Sequence, residues 1–437
     1  MSVFAGVWLW GTRIGAVSMG ADDRFAVFQF DPDFAAAGIE VSPLVMPLRR
    51  EPYRFPYLAP ESFRGLPGLL ADSLPDKFGN EVIDTWLAAQ GRPPDSFNSV
   101  ERLCYIGRRG MGALEFEPTR GPEVTADHDL QIAGLVELSS KILADRTALV
   151  VSLEHGEREQ TMRDILAVGT SAGGARAKAL IAWNPATGEV RSGQLDLPPG
   201  FEHWLIKFDG VAGNRDRDRL ADPQGYGAIE YAYWLMARDA GISMAAARLF
   251  EENGRRHFMA RRFDRNENGS KRHMQSLGAI AHFDYNRAGS NSYEQAFLVM
   301  RQLGLPQPAI EQMFRRMTFN IVARNQDDHV KNIAFTMDRT GAWELAPAFD
   351  VTYAHRASSD WTNQHQLSMA GKRDRFTRAD FVSCGKTATL ARGRALRILD
   401  EIRDVVAAWE SYARAADVEG DHIQRITPAL RLELAAA

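Results

Sequence analysis

The sequence predicts an α+β fold of two lobes, one sheet-rich and one mostly helical, preceded by a small mixed α/β subdomain. Three observations carry this. Residues 179–183 and 204–208 are short apolar runs set between turn residues, and strand patterns return at 246–251 and 256–263. From 292 the period changes. Ala309, Ile310, Met313, Phe314, Met317, Ile321 and Val322 recur at helix spacing and form one buried stripe. Isolated acids then cluster in the loop that ends this stripe and in the segment that follows.

Taken in order, residues 3–9 and 24–30 read as strands, the second with aromatic residues alternating with smaller ones. Helical patterns lie near 75–90 and 126–144. Between them Gly107-Arg108-Arg109-Gly110-Met111-Gly112 turns into a short strand, Ala113 to Phe116. Residues 1–120 form the mixed subdomain, and the polar segment 145–160 joins it to the rest. The sheet-rich lobe spans 145–265 and carries one helix, Gly227 to Ala240, ended by Gly241. The helical lobe spans 266–437, with terminal helices at 393–416 and 421–434.

Composition excludes several classes. With 437 residues, 45% hydrophobic and 25% charged, the chain is long enough for more than one real core. A net charge of −4 gives no global basic field for nucleic acid, although a local patch stays open. Two cysteines, Cys104 and Cys384, make no disulfide framework and no C-x-x-C metal spacing. The N-terminus lacks a basic segment followed by an apolar run, and no run approaches membrane-spanning length. The expected location is the cytoplasm.

The chemistry centres on Asn325-Gln326-Asp327-Asp328-His329-Val330-Lys331-Asn332, a D-x-x-x-x-N pattern. Leu345-Ala346-Pro347-Ala348-Phe349-Asp350 follows and adds a further acid. Phosphoryl transfer of the kinase type needs one Asp as base, and an Asn with a second Asp to hold magnesium. Mg²⁺ is hard and takes oxygen ligands, few of them from protein. Asp327, Asn332 and Asp350 fit these roles. Lys207 sits mid-strand among apolar residues and needs an anionic partner, for which Glu230 on the next helix is the candidate; an edge-strand lysine facing solvent is the alternative.

Gly169-Thr170-Ser171-Ala172-Gly173-Gly174-Ala175 precedes Lys178. Its glycines let backbone N–H groups approach phosphate and the lysine supplies charge, although a plain hairpin turn reads the same residues. Gly173, Gly174, Ala175 and Lys178 are the candidate phosphate contacts. His329 is placed to contact nucleotide, to orient Asp327, or to serve as a structural histidine. Lys331 is a candidate to neutralise the transferring phosphoryl group. Arg261-Arg262-Phe263-Asp264-Arg265 reads as the hinge between lobes, with Arg262 and Phe263 beside the nucleotide, or as a solvated salt-bridge cluster. Asp76 reads as a helix start without chemistry. A sheet lobe before a helical lobe with acids between them is the layout of a two-lobed kinase.

Together these residues resemble the HipA family of bacterial toxin kinases over nearly the whole chain. Leu74 to Gly79 and Gly107 to Leu114 look like that family's N-terminal subdomain. Gly169 to Lys178 looks like its phosphate loop, and Phe319 to Asn332 with Leu345 to Asp350 like its catalytic and metal signatures. The resemblance implies a two-lobed protein-kinase-like (HipA-type) fold and a serine/threonine protein kinase using ATP and Mg²⁺. It implies Asp327 as base, Asn332 and Asp350 as metal ligands, and Lys207 as nucleotide lysine. Ser171 falls where relatives autophosphorylate and switch themselves off, with Thr170 as competitor. A HipB-like helix-turn-helix antitoxin is the implied partner, with operator DNA reached only through that complex. The implied substrate is a translation-related protein, an aminoacyl-tRNA synthetase among the family's targets, so that phosphorylation gives growth arrest or persistence. Phe349 departs from the Tyr that often precedes the metal Asp; stacking survives but a hydroxyl is lost. A small-molecule kinase and a catalytically silent co-repressor are the competing readings; the intact N-terminal motifs argue against the first, and the retained Lys207, Asp327, Asn332 and Asp350 against the second.

Overall fold

The computed structural model describes residues 2–121, 130, 132–144, 176–193, 197–211 and 224–435. The N-terminal part holds a four-stranded antiparallel sheet. Strands β1 (Val3–Leu9), β2 (Thr12–Met19), β3 (Val27–Phe30) and β4 (Leu114–Glu117) stand in the order β3-β2-β1-β4. Strand β2, absent from the sequence reading, is the return arm of a hairpin. Trp10 and Gly11 turn with φ of 52° and 82°, the left-handed pair that matches strand twist in a two-residue loop. Helix Ser99–Ile106 packs behind this sheet, and helix Lys77–Ala89 lies in a core shared with the sheet lobe. Asp76 caps Lys77–Ala89, and Asn98 with Glu101 forms a reciprocal capping box at Ser99–Ile106.

The sheet lobe has five antiparallel strands: β5 (Lys178–Trp183), β6 (Val190–Ser192), β7 (Glu202–Lys207), β8 (Ala247–Glu252) and β9 (Arg255–Arg261). Their order is β6-β5-β7-β9-β8, so β7 is the central strand and Lys207 is not on an edge. Helix Tyr226–Asp239 runs close against β9. A Cβ on Gly227 would lie 1.9 Å from the Arg256 carbonyl oxygen, so only glycine allows this approach.

The helical lobe also contains a sheet that the sequence reading did not anticipate, β10 (His273–Ser276), β11 (Ala334–Met337) and β12 (Trp343–Leu345), all antiparallel. These strands are too short to show a period against their helical surroundings. The apolar stripe builds Gln307–Val322 as expected. Phe314, Met317, Phe319, Ile321 and Val322 are fully buried in a core shared with helix Tyr226–Asp239. The expected helix at 421–434 is shorter: Gly420–Ile426 gives way to a single 3₁₀ turn, Thr427–Ala429, where Pro428 supplies no N–H to continue an α-helix.

The three parts share cores rather than keeping separate ones. Met337 of β11 closes the core under the N-terminal sheet. Phe78, Val82, Ile83 and Leu87 pack with Ala179, Ile181 and Ile206 of the sheet lobe. Leu130, Ile132, Leu135 and Val136 join the same core, and Leu130 N–H donates to the Val190 carbonyl at 2.8 Å. Cys104 and Cys384 are both free and buried, and no helix among the described residues is long and apolar enough to cross a membrane.

Candidate active site

The three parts converge on a cleft of about 530 Å³. Asp76 reaches it from the N-terminal part and Lys178 and Lys207 from the sheet. Asp327, His329, Lys331 and Asp350 reach it from the helical lobe. A side pocket of about 110 Å³ opens between the lobes, walled by Leu205, Met244, Phe258, Phe263 and Phe349. Lys178, Lys207, Asn332 and Asp350 stand at its polar end.

Lys207 is the centre of charge. Its Nζ lies 2.6 Å from Glu230 Oε1 and 2.5 Å from Asp350 Oδ1. Burial alone would lower the Lys207 pKa, but Asp350 first and Glu230 next reverse the sign and raise it. Asp350 is pulled the other way. Burial opposes its ionisation, yet Lys207, helped by Lys178, holds its carboxyl well below the usual range. At Glu230 burial prevails over Lys207 and the carboxyl is raised. Asp350 itself has a φ of 56°, a left-handed conformation that a short polar side chain tolerates better than most.

The D-x-x-x-x-N loop follows the C-terminus of helix Gln307–Val322. Asp327 is 39% exposed at its side chain, facing the cleft, and its Oδ1 accepts from Trp361 Nε1 at 2.5 Å. His329 Nε2 lies 3.8 Å from the same oxygen, while its Nδ1 accepts from the Lys331 backbone N–H at 3.2 Å. One histidine thus fixes the local turn and stands beside Asp327. Asn332 Nδ2 donates to the Asp327 carbonyl at 2.9 Å, pinning the two ends of the motif together. Lys331 Nζ sits 4.8 Å from the centre of the Tyr285 ring.

Two residues important here escaped the sequence reading. Trp361 lies 34 positions beyond Asp327, in a loop without periodicity. Asp328, beside Asp327 in sequence, points the opposite way. Its carboxylate accepts from Tyr293 Oη at 2.6 Å, His365 Nδ1 at 2.8 Å and the Gln366 N–H at 2.8 Å. The Arg431 guanidinium, which has only donors, meets His365 Nε2 at 2.7 Å, so the neutral histidine donates from Nδ1. The loop is therefore anchored from below by Asp328 while Asp327 is presented above. The neighbouring acids gave the only available signal, and it did not say which one faces out.

Three of the four hinge charges, Arg262, Asp264 and Arg265, are buried, which corrects the solvated-cluster alternative; Arg261 is 40% exposed. Asp264 is fully buried, with Oδ2 2.7 Å from Arg262 Nη2 and 2.8 Å from Arg265 Nη1. It also accepts from the Gly112 N–H at 2.7 Å. Arg262 thus lines the side pocket while its guanidinium is committed to Asp264. The Phe263 and Phe349 rings lie 5.5 Å apart on the pocket wall, tilted by 34° to each other. Gly173, Gly174, Ala175, Ser171 and Thr170 lie outside the described residues.

Asn332 and Asp350 suit a hard cation. They are oxygen donors at the polar end of one pocket, and Mg²⁺ completes its shell with phosphate and water. No group of three or more His, Cys, Asp or Glu side chains among the described residues offers a metal cage.

A buried lysine–glutamate pair on a sheet lobe, facing a D-x-x-x-x-N loop and a lone acid on a helical lobe, defines a two-lobed kinase-like protein. Two family models match the chain: the HipA N-terminal domain over residues 5–117 and the HipA-like C-terminal domain over residues 170–409. The chain belongs to the HipA family. HipA from the Shewanella oneidensis MR-1 toxin–antitoxin system, solved with HipB and its operator DNA, has the same fold. The TM-score is 0.68 at 16% identity, covering 97% of this chain and 94% of that one. The Helicobacter pylori proinflammatory kinase CtkA aligns at a TM-score of 0.33 and 12% identity, over 59% of this chain and 94% of its own, too weakly to argue from. No curated protein matches.

Proposed function

We propose that this chain is an ATP- and Mg²⁺-dependent serine/threonine protein kinase acting as the toxin of a type II toxin–antitoxin module. The observation that carries this reading is the convergence of Lys207, Glu230 and Asp350 with Asp327 and Asn332 around one cleft. Adenine would take the apolar pocket walled by Leu205, Met244, Phe263 and Phe349, with the triphosphate running toward Lys178 and Lys207. A substrate hydroxyl at Asp327 attacks the γ-phosphorus. The new oxygen–phosphorus bond forms as the bond to the β-phosphate oxygen breaks; Asp327 takes the hydroxyl proton and ADP leaves. Lys207 neutralises phosphate charge while Glu230 holds it in place. Lys331 would stabilise charge on the transferring group. Asn332 and Asp350 would hold Mg²⁺, which supplies charge neutralisation at the phosphates. Ser171, with Thr170 as alternative, is the proposed site of self-inactivation, since a phosphate there adds roughly −1.5 to −2 charge that competes with ATP.

The Shewanella relative was solved with HipB and operator DNA. By that likeness the proposed partner is a HipB-like antitoxin, with DNA contacted through the complex. The proposed target is a translation-related protein. The test is transfer of labelled phosphate from ATP to total cell protein by wild type and Asp327→Ala, with mass spectrometry of Ser171 and Thr170. Incorporation should vanish in the variant. Equal incorporation by both would overturn the kinase reading. Labelling of small metabolites without protein would favour a small-molecule kinase.

A further inference from the structure

We infer that Asp76 is a positioning residue of the nucleotide site, contributed by the N-terminal part of the molecule. The inference rests on the proposed reading of the cleft as an ATP site. Lys178 and Lys207 stand directly opposite each other on β5 and β7. Cross-strand partners are only about 4.5–5.5 Å apart at Cβ, where like charges repel. Both lysines line the cleft and the side pocket. Two buried ammonium groups side by side need carboxylates to set where each one points. Lys207 has Glu230 and Asp350. Lys178, 6% exposed at its side chain, has Asp76 Oδ2 at 3.2 Å, itself 2% exposed.

Asp76 divides its two oxygens. Oδ1 accepts from the Gly79 N–H at 2.7 Å and caps helix Lys77–Ala89, while Oδ2 holds Lys178. An ammonium carries three donors, so Lys178 can keep Asp76 and still meet a phosphate oxygen. The helix itself is packed into the sheet-lobe core through Phe78, Val82 and Ile83. The cap is therefore fixed relative to β5. The N-terminal part thus aims one of the two phosphate-facing lysines, and ATP binding is linked to the ordering of its helix.

Asn is as good an N-cap as Asp. Asp76→Asn therefore keeps the cap and removes the charge, whereas Asp76→Ala removes both. Titration of the purified full chain with ATP and with adenosine separates the roles. Asp76→Asn should weaken ATP binding and raise its KM on the order of tenfold, with adenosine binding and thermal stability nearly unchanged. Asp76→Ala should add a loss of thermal stability. ATP binding unaltered in Asp76→Asn would overturn the inference and leave the kinase reading standing. Failure of the wild-type chain to bind ATP would overturn both. Should Asp76→Asn not fold, hydrogen exchange of helix Lys77–Ala89 in the wild-type chain decides. ATP should slow exchange there and adenosine should not; an equal effect of the two overturns the inference.

Discussion

Lys207 Nζ and Asp350 Oδ1 lie 2.5 Å apart, bonding the central strand of the sheet lobe to a loop of the helical lobe. If Asp350 is to hold Mg²⁺, this bond must loosen as phosphate arrives at Lys207. Lys207→Met removes the lysine's charge from both states. We expect ATP KM to rise and turnover to fall on the order of a hundredfold or more. The variant also leaves Glu230 and Asp350 without their shared cation, at a cost of roughly 3–5 kcal/mol of stability. Denaturant titration beside steady-state kinetics checks both. A fully active Lys207→Met would remove this lysine from the mechanism.

Asp327 is partly exposed in a loop, so its loss should spare the fold. Asp327→Asn keeps the acceptor for Trp361 but cannot take a proton at the same oxygen pair. Turnover should fall by at least about 10²–10⁴-fold, while binding of Mg²⁺-ATP stays close to wild type. Parallel loss of ATP binding would mean that Asp327 acts on the nucleotide instead.

Trp361 donates to Asp327 at 2.5 Å from a distant loop. Trp361→Phe retains the aromatic bulk and deletes the donor. We expect turnover to drop on the order of tenfold with ATP KM little changed, because the base loses orientation rather than identity. The pH–rate profile should move too, since an N–H bond favours the ionised carboxylate: without it the acid limb shifts to higher pH. An unmoved profile argues that Trp361 only fills space.

Acid should destabilise the chain earlier than carboxylates alone would. His257 and His273 are fully buried, and burial lowers each from 6.5 to about 4. The unfolded chain binds protons there as pH drops below 6.5, and the folded chain does not. Their contribution is therefore complete above 6.5 and falls through the window from 6.5 to about 4. Each such histidine contributes a slope of up to about 1.4 kcal/mol per pH unit. Urea midpoints at pH 8, 6.5 and 5 should show little change over the first interval and a marked fall over the second. His257→Gln should flatten the second. A flat response in the wild-type chain would contradict the burial.

Asp264 gives a different window. Burial opposes its charge, but Arg262 and Arg265 outweigh burial and hold it well below the ordinary 3.8. Its stabilisation is present above 3.8 and is lost as pH falls from there toward the lowered folded value. Asp264→Asn leaves two buried guanidinium groups facing each other, with an expected loss of roughly 3–5 kcal/mol. The Gly110–Gly112 turn docks on this cluster, so hydrogen exchange should quicken in β1 and β4 as well as at the hinge. Exchange confined to the hinge would show that the cluster does not hold the N-terminal part.

Much of the site was legible because its chemistry is written locally. The five-residue spacing of Asp327 and Asn332 is closed by a hydrogen bond across it. The apolar frame of Lys207 pointed to a buried ammonium, and the next helix did carry its partner, Glu230. Strand β2 and the sheet β10–β11–β12 were not legible. Their pairing partners lie across turns or far along the chain, and short strands leave no period to read.

By itself the sequence determined the kinds of residue present and their local order: one lysine in a strand, one stripe on a helix, one acidic loop after it. Those follow from spacing, which any window of the chain displays. Only the tertiary structure decided which of two adjacent acids faces the cleft, because Asp327 and Asp328 differ solely in what lies around them. It also decided that Asp76 pairs with Lys178 besides beginning a helix, that Trp361 donates to Asp327, and that Arg262, Asp264 and Arg265 are buried. Each of these rests on contacts between segments far apart in the chain. Such contacts are set by how three shared cores close on one another, and no local pattern encodes that.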